Sequence, residues 1–359
     1  MQKKSKTRKI IVLNEKVLLM SRVFSELDCK IVGTLFENAR VTNAELAKQI
    51  HLSESQCSRR LKRIEQSGVI TGYTARVDPA ALGLNVYAFL GLKIDHTKTT
   101  RQDSELQIRK HRQLIRGYRT GGNVDYIVSI LTPDLSEYQV SVDKFNVING
   151  VTVTRSLLIL DSIKYSTRIQ FPFTTLTSPA YILSEQASST LGKDQITVRP
   201  SLPALRGDLS HSKLDDIDLE LIRRLADNSR SSLVNLGKQV GLSPAPCGRR
   251  VHQLERRGII QQYTAKINFD AIGLTTVVLI EVKFDLTNTK DRQAFEERLT
   301  QAPQVLEAYR THGESNYLII LTVENLATCD QFLAETIFKA HGLISVQSSP
   351  VLKQFHDRR

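Results

Sequence analysis

The apolar positions along this chain change period, and they do so twice in the same order. Over Glu26–Phe36 they recur at helical spacing, with Leu27, Ile31, Val32 and Leu35 on one face. Thr42-Asn43-Ala44-Glu45 has the form of a capping box and predicts a second short helix carrying Leu46, Ala47 and Ile50. His51-Leu52 predicts a tight break. Ser53-Glu54-Ser55-Gln56 is another capping box and predicts a third helix that runs to about Ser67, where Gly68 stops it. Within that helix Cys57, Leu61 and Ile64 form the buried stripe, while Arg59, Arg60, Lys62 and Arg63 fall outside it. A short helix, a tight turn and a capped helix with a basic outer face match helix-turn-helix geometry.

The period then shifts towards strands. Val86–Ile94 is a strand run and Gln102–His111 a polar helix. Leu114–Thr120 and Asp125–Leu131 are strands, Leu135–Val147 a helix and Val151–Ile159 a strand. The order β-α-β-β-α-β predicts a ferredoxin-like domain.

The same series returns further along. Shifted by 190 positions, residues 27–93 lie on 217–283 without a gap, and 22 of the 67 pairs are identical. Unrelated composition gives roughly 6%. After one inserted residue the match resumes with Tyr118-Arg119-Thr120 on Tyr309-Arg310-Thr311. The second copy places Ser243 as the N-cap of its third helix, Pro244 at the first position, and Cys247, Val251 and Leu254 on the stripe. Its later elements are expected at Val277–Phe284, Asp291–Thr300, Leu306–Thr311, Tyr317–Val323, Cys329–Lys339 and Leu343–Val351.

The fold expected is therefore α+β: two copies of a winged-type helix-turn-helix domain followed by a ferredoxin-like (βαββαβ) domain. The expected boundaries are a basic extension at 1–24, the first helix-turn-helix at 25–78, the first ferredoxin-like domain at 79–165, a linker at 166–213, the second helix-turn-helix at 214–268 and the second ferredoxin-like domain at 269–359. The linker holds four prolines and fourteen serines or threonines, and its mean span of roughly 35–40 Å lets the copies pair with each other.

Composition narrows the function. With 49 Lys plus Arg against 37 Asp plus Glu, the net charge of +12 points to a polyanionic partner. Residues 1–26 alone carry +5. Cys29, Cys57, Cys247 and Cys329 form no CxxC or Cys/His cluster, which excludes a disulfide scaffold and a zinc finger. No apolar run reaches the ~18–20 residues of a membrane span. The apolar run near the N-terminus is interrupted by Asn14, Glu15 and Lys16, a poor signal-peptide core, so a cytoplasmic location is expected. No Ser-His-Asp, HExxH or phosphate-loop pattern occurs, so the chain is expected to be no enzyme and to carry no cofactor or metal.

The whole pattern resembles the Lrp/AsnC family, the leucine-responsive or feast/famine regulators. The resemblance is strongest from Val234 through Cys247, then at Arg249-Arg250-Val251, Leu254-Glu255, Gly258-Ile259-Ile260 and Tyr263-Thr264-Ala265. It implies DNA binding as dimers, higher oligomers, and a small effector, often an amino acid, bound between the ferredoxin-like sensor domains. The partners expected are double-stranded DNA and such an effector, with no membrane. The two sensor domains are expected to pair within one chain as a pseudo-dimer, and chains to associate further.

Candidate residues follow. The third helix would enter the major groove N-terminus first, so Ser53, Ser55, Gln56, Arg59 and Arg60 in copy one, and Ser243, Ala245, Arg249 and Arg250 in copy two, are the expected base readers. Lys62, Arg63, Arg256 and Arg257 are the expected phosphate contacts. The family's effector loop, a Thr-Gly-x-x-Asp type turn, corresponds to Thr120, Gly121, Gly122 and Asp125 in copy one, and to Gly313 and Asn316 in copy two. Because Asn316 stands where copy one has Asp125, copy one is expected to sense and copy two to be mainly structural. Two other readings compete. Siroheme decarboxylases resemble the same two-domain unit, sometimes in fused pairs, and a low-specificity DNA-architectural protein would share the basic helices.

Overall fold

A computed structural model describes residues 25–165 and 214–357. The basic extension and the linker expected from the sequence lie outside the described residues. The chain divides into two compact units: one contains 25–76 and 215–275, the other 77–165 and 276–357. Each unit thus joins like domains from the two copies.

In the first unit, copy one forms helices α1 (Glu26–Glu37), α2 (Asn43–Gln49) and α3 (Glu54–Gln66), then strand β1 (Ile70–Val77). Copy two forms α6 (Asp216–Asp227), α7 (Leu233–Val240), α8 (Pro244–Arg256) and β6 (Ile260–Ile267). The caps read from sequence are present. The Thr42 hydroxyl accepts from Glu45 N–H and the Ser53 hydroxyl from Gln56 N–H. In copy two, Ser243 occupies the N-cap without a side-chain bond, and Pro244 presets the first turn instead. His51 adopts φ +56°, which turns the chain sharply between α2 and α3.

Strands β1 and β6, not expected from the sequence, pair in a two-stranded sheet that joins the copies. The repeated Tyr-Thr-Ala segments supply its reciprocal contacts. Ala39 N–H donates to Tyr263 O, and Ser229 N–H to Tyr73 O. The Thr264 hydroxyl donates to Phe36 O and the Thr74 hydroxyl to Ala226 O, both at 2.7 Å. The Arg40 guanidinium lies 3.8 Å from the centre of the Tyr263 ring, and Arg230 lies 4.1 Å from Tyr73. Residues beyond the expected boundary at 268 belong here too: Phe269, Ile272 and Leu274 pack into the core of copy one's helices.

In the second unit, copy one runs β2 (Val86–Ile94), α4 (Arg101–Arg109), β3 (Leu114–Thr120), β4 (Tyr126–Thr132), α5 (Leu135–Asn146) and β5 (Val151–Tyr165). Copy two runs β7 (Thr276–Phe284), α9 (Thr289–Gln301), β8 (Val305–His312), β9 (Tyr317–Val323), α10 (Leu326–Phe332, continuing as a π turn to Ile337) and β10 (Leu343–Asp357). Each copy forms an antiparallel four-stranded sheet, β3-β4-β2-β5 and β8-β9-β7-β10. The two sheets close into one eight-stranded barrel through β5–β8 and β10–β3 pairing.

This closure explains why β5 and β10 run six residues past their expected ends at Ile159 and Val351. Ile159–Tyr165 pairs with Thr311–Glu307 and Val351–Asp357 with Thr120–Arg116, so the extensions have ladder partners only on the other copy. Strand β2 shows why the sheets read as continuous apolar runs. Ala88, Leu90 and Leu92 face a core under the helices, while Tyr87 and Phe89 face a second core shared with Leu279, Tyr309, Leu318 and Ile320 of copy two.

Candidate DNA interface and effector loops

In α3, the buried stripe Cys57, Leu61, Ile64 fixes which side chains face outward. At 100° per residue the opposite stripe is Ser55, Arg59, Lys62 and Gln66. All four are exposed. In α8 the same geometry places Ala245, Arg249, His252 and Arg256 outward, opposite Cys247, Val251 and Leu254, and all four are again exposed. His252 occupies the position of Lys62, and the sequence reading passed over it. The signal was available, since the two fall together at the repeat's offset.

Not every arginine of these helices faces outward. Arg60 donates to Asp28 at 3.0 Å and to the Ser25 hydroxyl at 2.9 Å, and Arg63 donates to Asp28 at 2.6 Å. In copy two Arg250 donates to Asp215 at 2.7 Å and to Asp218 at 2.8 Å. These ion pairs tie the third helix to the first in each copy. Arg60, Arg250 and Arg63, expected as base readers and a phosphate contact, thus also hold the helix in position through these pairs. The cause is the acidic first turn of α1 and α6, which also favours those helix N-termini. Asp28 is buried, which alone would raise its pKa, but bonds from Ser25, Arg60 and Arg63 outweigh burial and hold it below the usual carboxylate range.

Ser53 and Gln56 are exposed but spend part of their bonding capacity on the cap, where Gln56 Oε1 accepts from Ser53 N–H at 3.3 Å. Gln56 keeps its amide NH2 for another acceptor. Ser243 and Arg257 are exposed at the two ends of α8. The outward set is thus Ser55, Arg59, Lys62 and Gln66 in copy one and Ala245, Arg249, His252 and Arg256 in copy two. The two helices present different chemistry in equivalent places.

The candidate effector loops are also equivalent in place. The Thr120 hydroxyl donates to Val124 O at 2.8 Å, and the Thr311 hydroxyl to Ser315 O at 2.7 Å. The Asp125 carboxylate accepts from Ile94 N–H at 2.8 Å, and the Asn316 side-chain carbonyl accepts from Phe284 N–H at 2.8 Å. An amide oxygen can accept the same backbone bond that a carboxylate accepts. The change from Asp to Asn thus keeps this backbone bond in both copies. Each loop rests on the other copy's last strand. Gly121 N–H donates to Pro350 O at 2.9 Å, and Gly122 lies beside Ser349. Gly313 has φ +152°, and a Cβ there would stand 2.7 Å from Ser156 O, so only glycine fits.

The described residues thus form capped helix-turn-helix domains in one unit and ferredoxin-like domains in the other, one of each from either copy. The Lrp/AsnC ligand binding domain profile matches residues 87–169 and again 277–359. A winged helix-turn-helix DNA-binding profile matches 24–71, and the AsnC-type helix-turn-helix profile matches 214–255. The leucine-responsive regulatory protein of Rhizobium meliloti is 34% identical over 145 residues, covering 40% of this chain and 93% of the relative. The Bkd operon transcriptional regulator of Pseudomonas aeruginosa is 34% identical over 142 residues, with 40% and 93% covered. The chain belongs to the Lrp/AsnC family of transcriptional regulators, as a tandem duplication. Among solved structures, the siroheme decarboxylase NirDL is 11% identical over 93% of both chains with a TM-score of 0.59, a likeness of fold. Among the described residues no helix is long and apolar enough to cross a membrane.

Proposed function

We propose that this chain regulates transcription by binding an imperfectly two-fold DNA site with two unlike reading helices, and that its sensor unit responds to a small effector, an amino acid. The observation that carries the DNA reading is the pair of outward stripes on α3 and α8. Their base readers are Ser55, Gln56 and Arg59 against Ala245 and Arg249, with Ser53 and Ser243 at the helix starts. Arg pairs bidentately with guanine and Gln with adenine, whereas Ala245 offers only an apolar contact to a thymine methyl. Lys62, Arg256 and Arg257 lie further along, where phosphates are contacted.

The effector proposal rests on the ligand-binding profile in both copies and on relatives named for leucine response. Thr120, Gly121, Gly122 and Asp125, with Gly313 and Asn316, are its proposed site, at the seam between copies. Both loops are proposed as competent, since Asn316 keeps the bond that Asp125 makes.

Anisotropy titration of the full chain against bound genomic fragments tests the DNA reading. Arg59→Ala and Arg249→Ala are each expected to weaken binding by about 1–3 kcal/mol. Unchanged affinity in both variants would remove those residues from the interface. Calorimetry of the full chain with a panel of amino acids tests the effector, and incubation with siroheme, read as loss of carboxylates, tests the enzymatic alternative.

A further inference from the structure

The seam of the barrel is where the two copies have stopped being equivalent. In a symmetric pair, a residue on the two-fold axis meets its own copy. Here Arg116 and Glu307 occupy the same position of the repeat, two residues before Tyr118 and Tyr309 respectively, and they touch each other across the pseudo-axis. Arg116 Nη1 and Nη2 donate to the two Glu307 oxygens at 2.5 and 2.9 Å, a bidentate pair. The side chains are 4% and 1% exposed, and the Tyr309 hydroxyl donates to the same carboxylate at 2.8 Å. Two copies of the first sensor would put Arg against Arg here. Two copies of the second would put Glu against Glu. Either leaves like charges buried face to face.

A second difference is steric. His356 pairs with Gly117 in the ladder, and the Phe355 ring lies over Gly117 so closely that a Cβ there would stand 2.4 Å from the ring. Phe355 cannot easily retreat, because it is buried edge-on to Tyr126 at 5.5 Å in copy one's core. The position equivalent to Gly117 in copy two is Ala308, and the residue equivalent to Phe355 in copy one is Ile163. Pairing copy two with itself would drive the Phe355 ring onto the Ala308 methyl. Pairing copy one with itself would leave the space above Gly117 underfilled by Ile163.

The third difference combines both. Arg155 crosses Gly91, where a Cβ would meet its side chain at 2.7 Å, and reaches Glu281 of copy two at 2.7 Å. The residues equivalent to Gly91 and Arg155 are Glu281 and Gln347. A first-copy homodimer would bury Arg155 without a carboxylate, and a second-copy homodimer would bury Glu281 without a guanidinium.

We propose that this face of each sensor domain is specific for the unlike copy: Arg116, Gly117, Gly91 and Arg155 on one side, and Glu307, Phe355 and Glu281 on the other, admit copy one against copy two and reject like against like. The partner each surface fits is therefore the other half of this chain, or that half in a second molecule of it. A subunit presenting the same residue on both sides of the axis does not fit. In the helix-turn-helix unit, by contrast, the stacking of Arg40 on Tyr263 and of Arg230 on Tyr73 is reciprocal, so these two contacts do not distinguish the copies.

The test uses the full chain as wild type, as Arg116→Glu, as Glu307→Arg and as the double exchange. Thermal unfolding is followed by circular dichroism. Each single exchange is expected to lower the midpoint of unfolding or abolish folding, and the double exchange to restore most of the wild-type midpoint. The two single variants are then mixed, unfolded and refolded together, and weighed by native mass spectrometry. Position 116 of one variant complements position 307 of the other, and the two unaltered positions complement each other likewise. A species with one chain of each variant is expected to predominate over two-chain species of one variant. Single variants as stable as wild type, a double exchange no better than the worse single, or a mixture without the mixed species would each overturn the proposal.

Discussion

At the scale of single residues, the arginines of the reading helices divide by what stands beside them. Arg59 and Arg249 face outward, and Arg60 and Arg250 are drawn back to acidic residues of the first helix. The sequence showed two adjacent arginines in each copy and no means to separate them, because Asp28 and Asp215 lie 32 and 35 positions away from their partners. The Asp28 contacts also set a pH dependence. Its folded pKa is below its unfolded value, so it stabilises the first unit above about pH 4, and that contribution is lost as pH falls through the folded value. Asp28→Asn is expected to cost about 2 kcal/mol at pH 7 and to flatten the acid limb of stability. Urea unfolding at pH 7 and pH 3.5 measures both. A wild-type acid limb retained in Asp28→Asn would assign the dependence elsewhere. Gly313→Ala is expected to destabilise the sensor unit by about 1–3 kcal/mol, because of its φ and the Ser156 carbonyl behind it. The same urea titration reads it, and an unchanged midpoint would show that the loop relaxes around the added methyl.

At the scale of elements, local pattern located what local physics determines. The capping boxes at Thr42 and Ser53 and the strand Val86–Ile94 stand where the sequence placed them. What escaped was whatever depends on the other copy. Strands β1 and β6 are mixed in polarity, and each has its partner in the opposite repeat. The ends of β5 and β10 carry Asp161, Ser162 and Lys164, or Lys353 and Gln354, which read as a departure from a strand. They are strand because edges of two sheets meet there. Alanine at both Arg40 and Arg230 is expected to loosen the β1–β6 seam by about 0.5–1 kcal/mol per guanidinium removed from its tyrosine ring. A lower unfolding midpoint together with weaker DNA binding is the expected readout, since the reading helices would no longer be held as a pair.

At the scale of the whole molecule, duplication explains both the symmetry and its breakdown. A dimer of identical subunits must present the same reading helix twice, whereas a fused chain can alter one and keep the other. Residues 54–58 and 244–248 share only Cys57 and Cys247. The internal repeat, and with it the four-domain organisation, was legible from the sequence through residues such as Gly83 and Gly273. The consequence at the barrel seam was not, although Arg116 falling on Glu307 was there to be seen. Only the structure shows that those two positions touch. The proposed effector loops were placed by resemblance, and the structure adds the backbone bonds that Asp125 and Asn316 accept. An Asp-to-Asn change reads in the sequence as a missing charge; the bond it keeps, from Phe284 N–H, shows only in the structure.

The central claim, that one chain reads two unlike half-sites, is tested most directly by footprinting wild type, Arg59→Ala and Arg249→Ala on the same bound promoter. The account predicts a bounded footprint that loses protection over one half in Arg59→Ala and over the other half in Arg249→Ala. Protection spread without sequence limits, or equal loss over both halves in both variants, would contradict it.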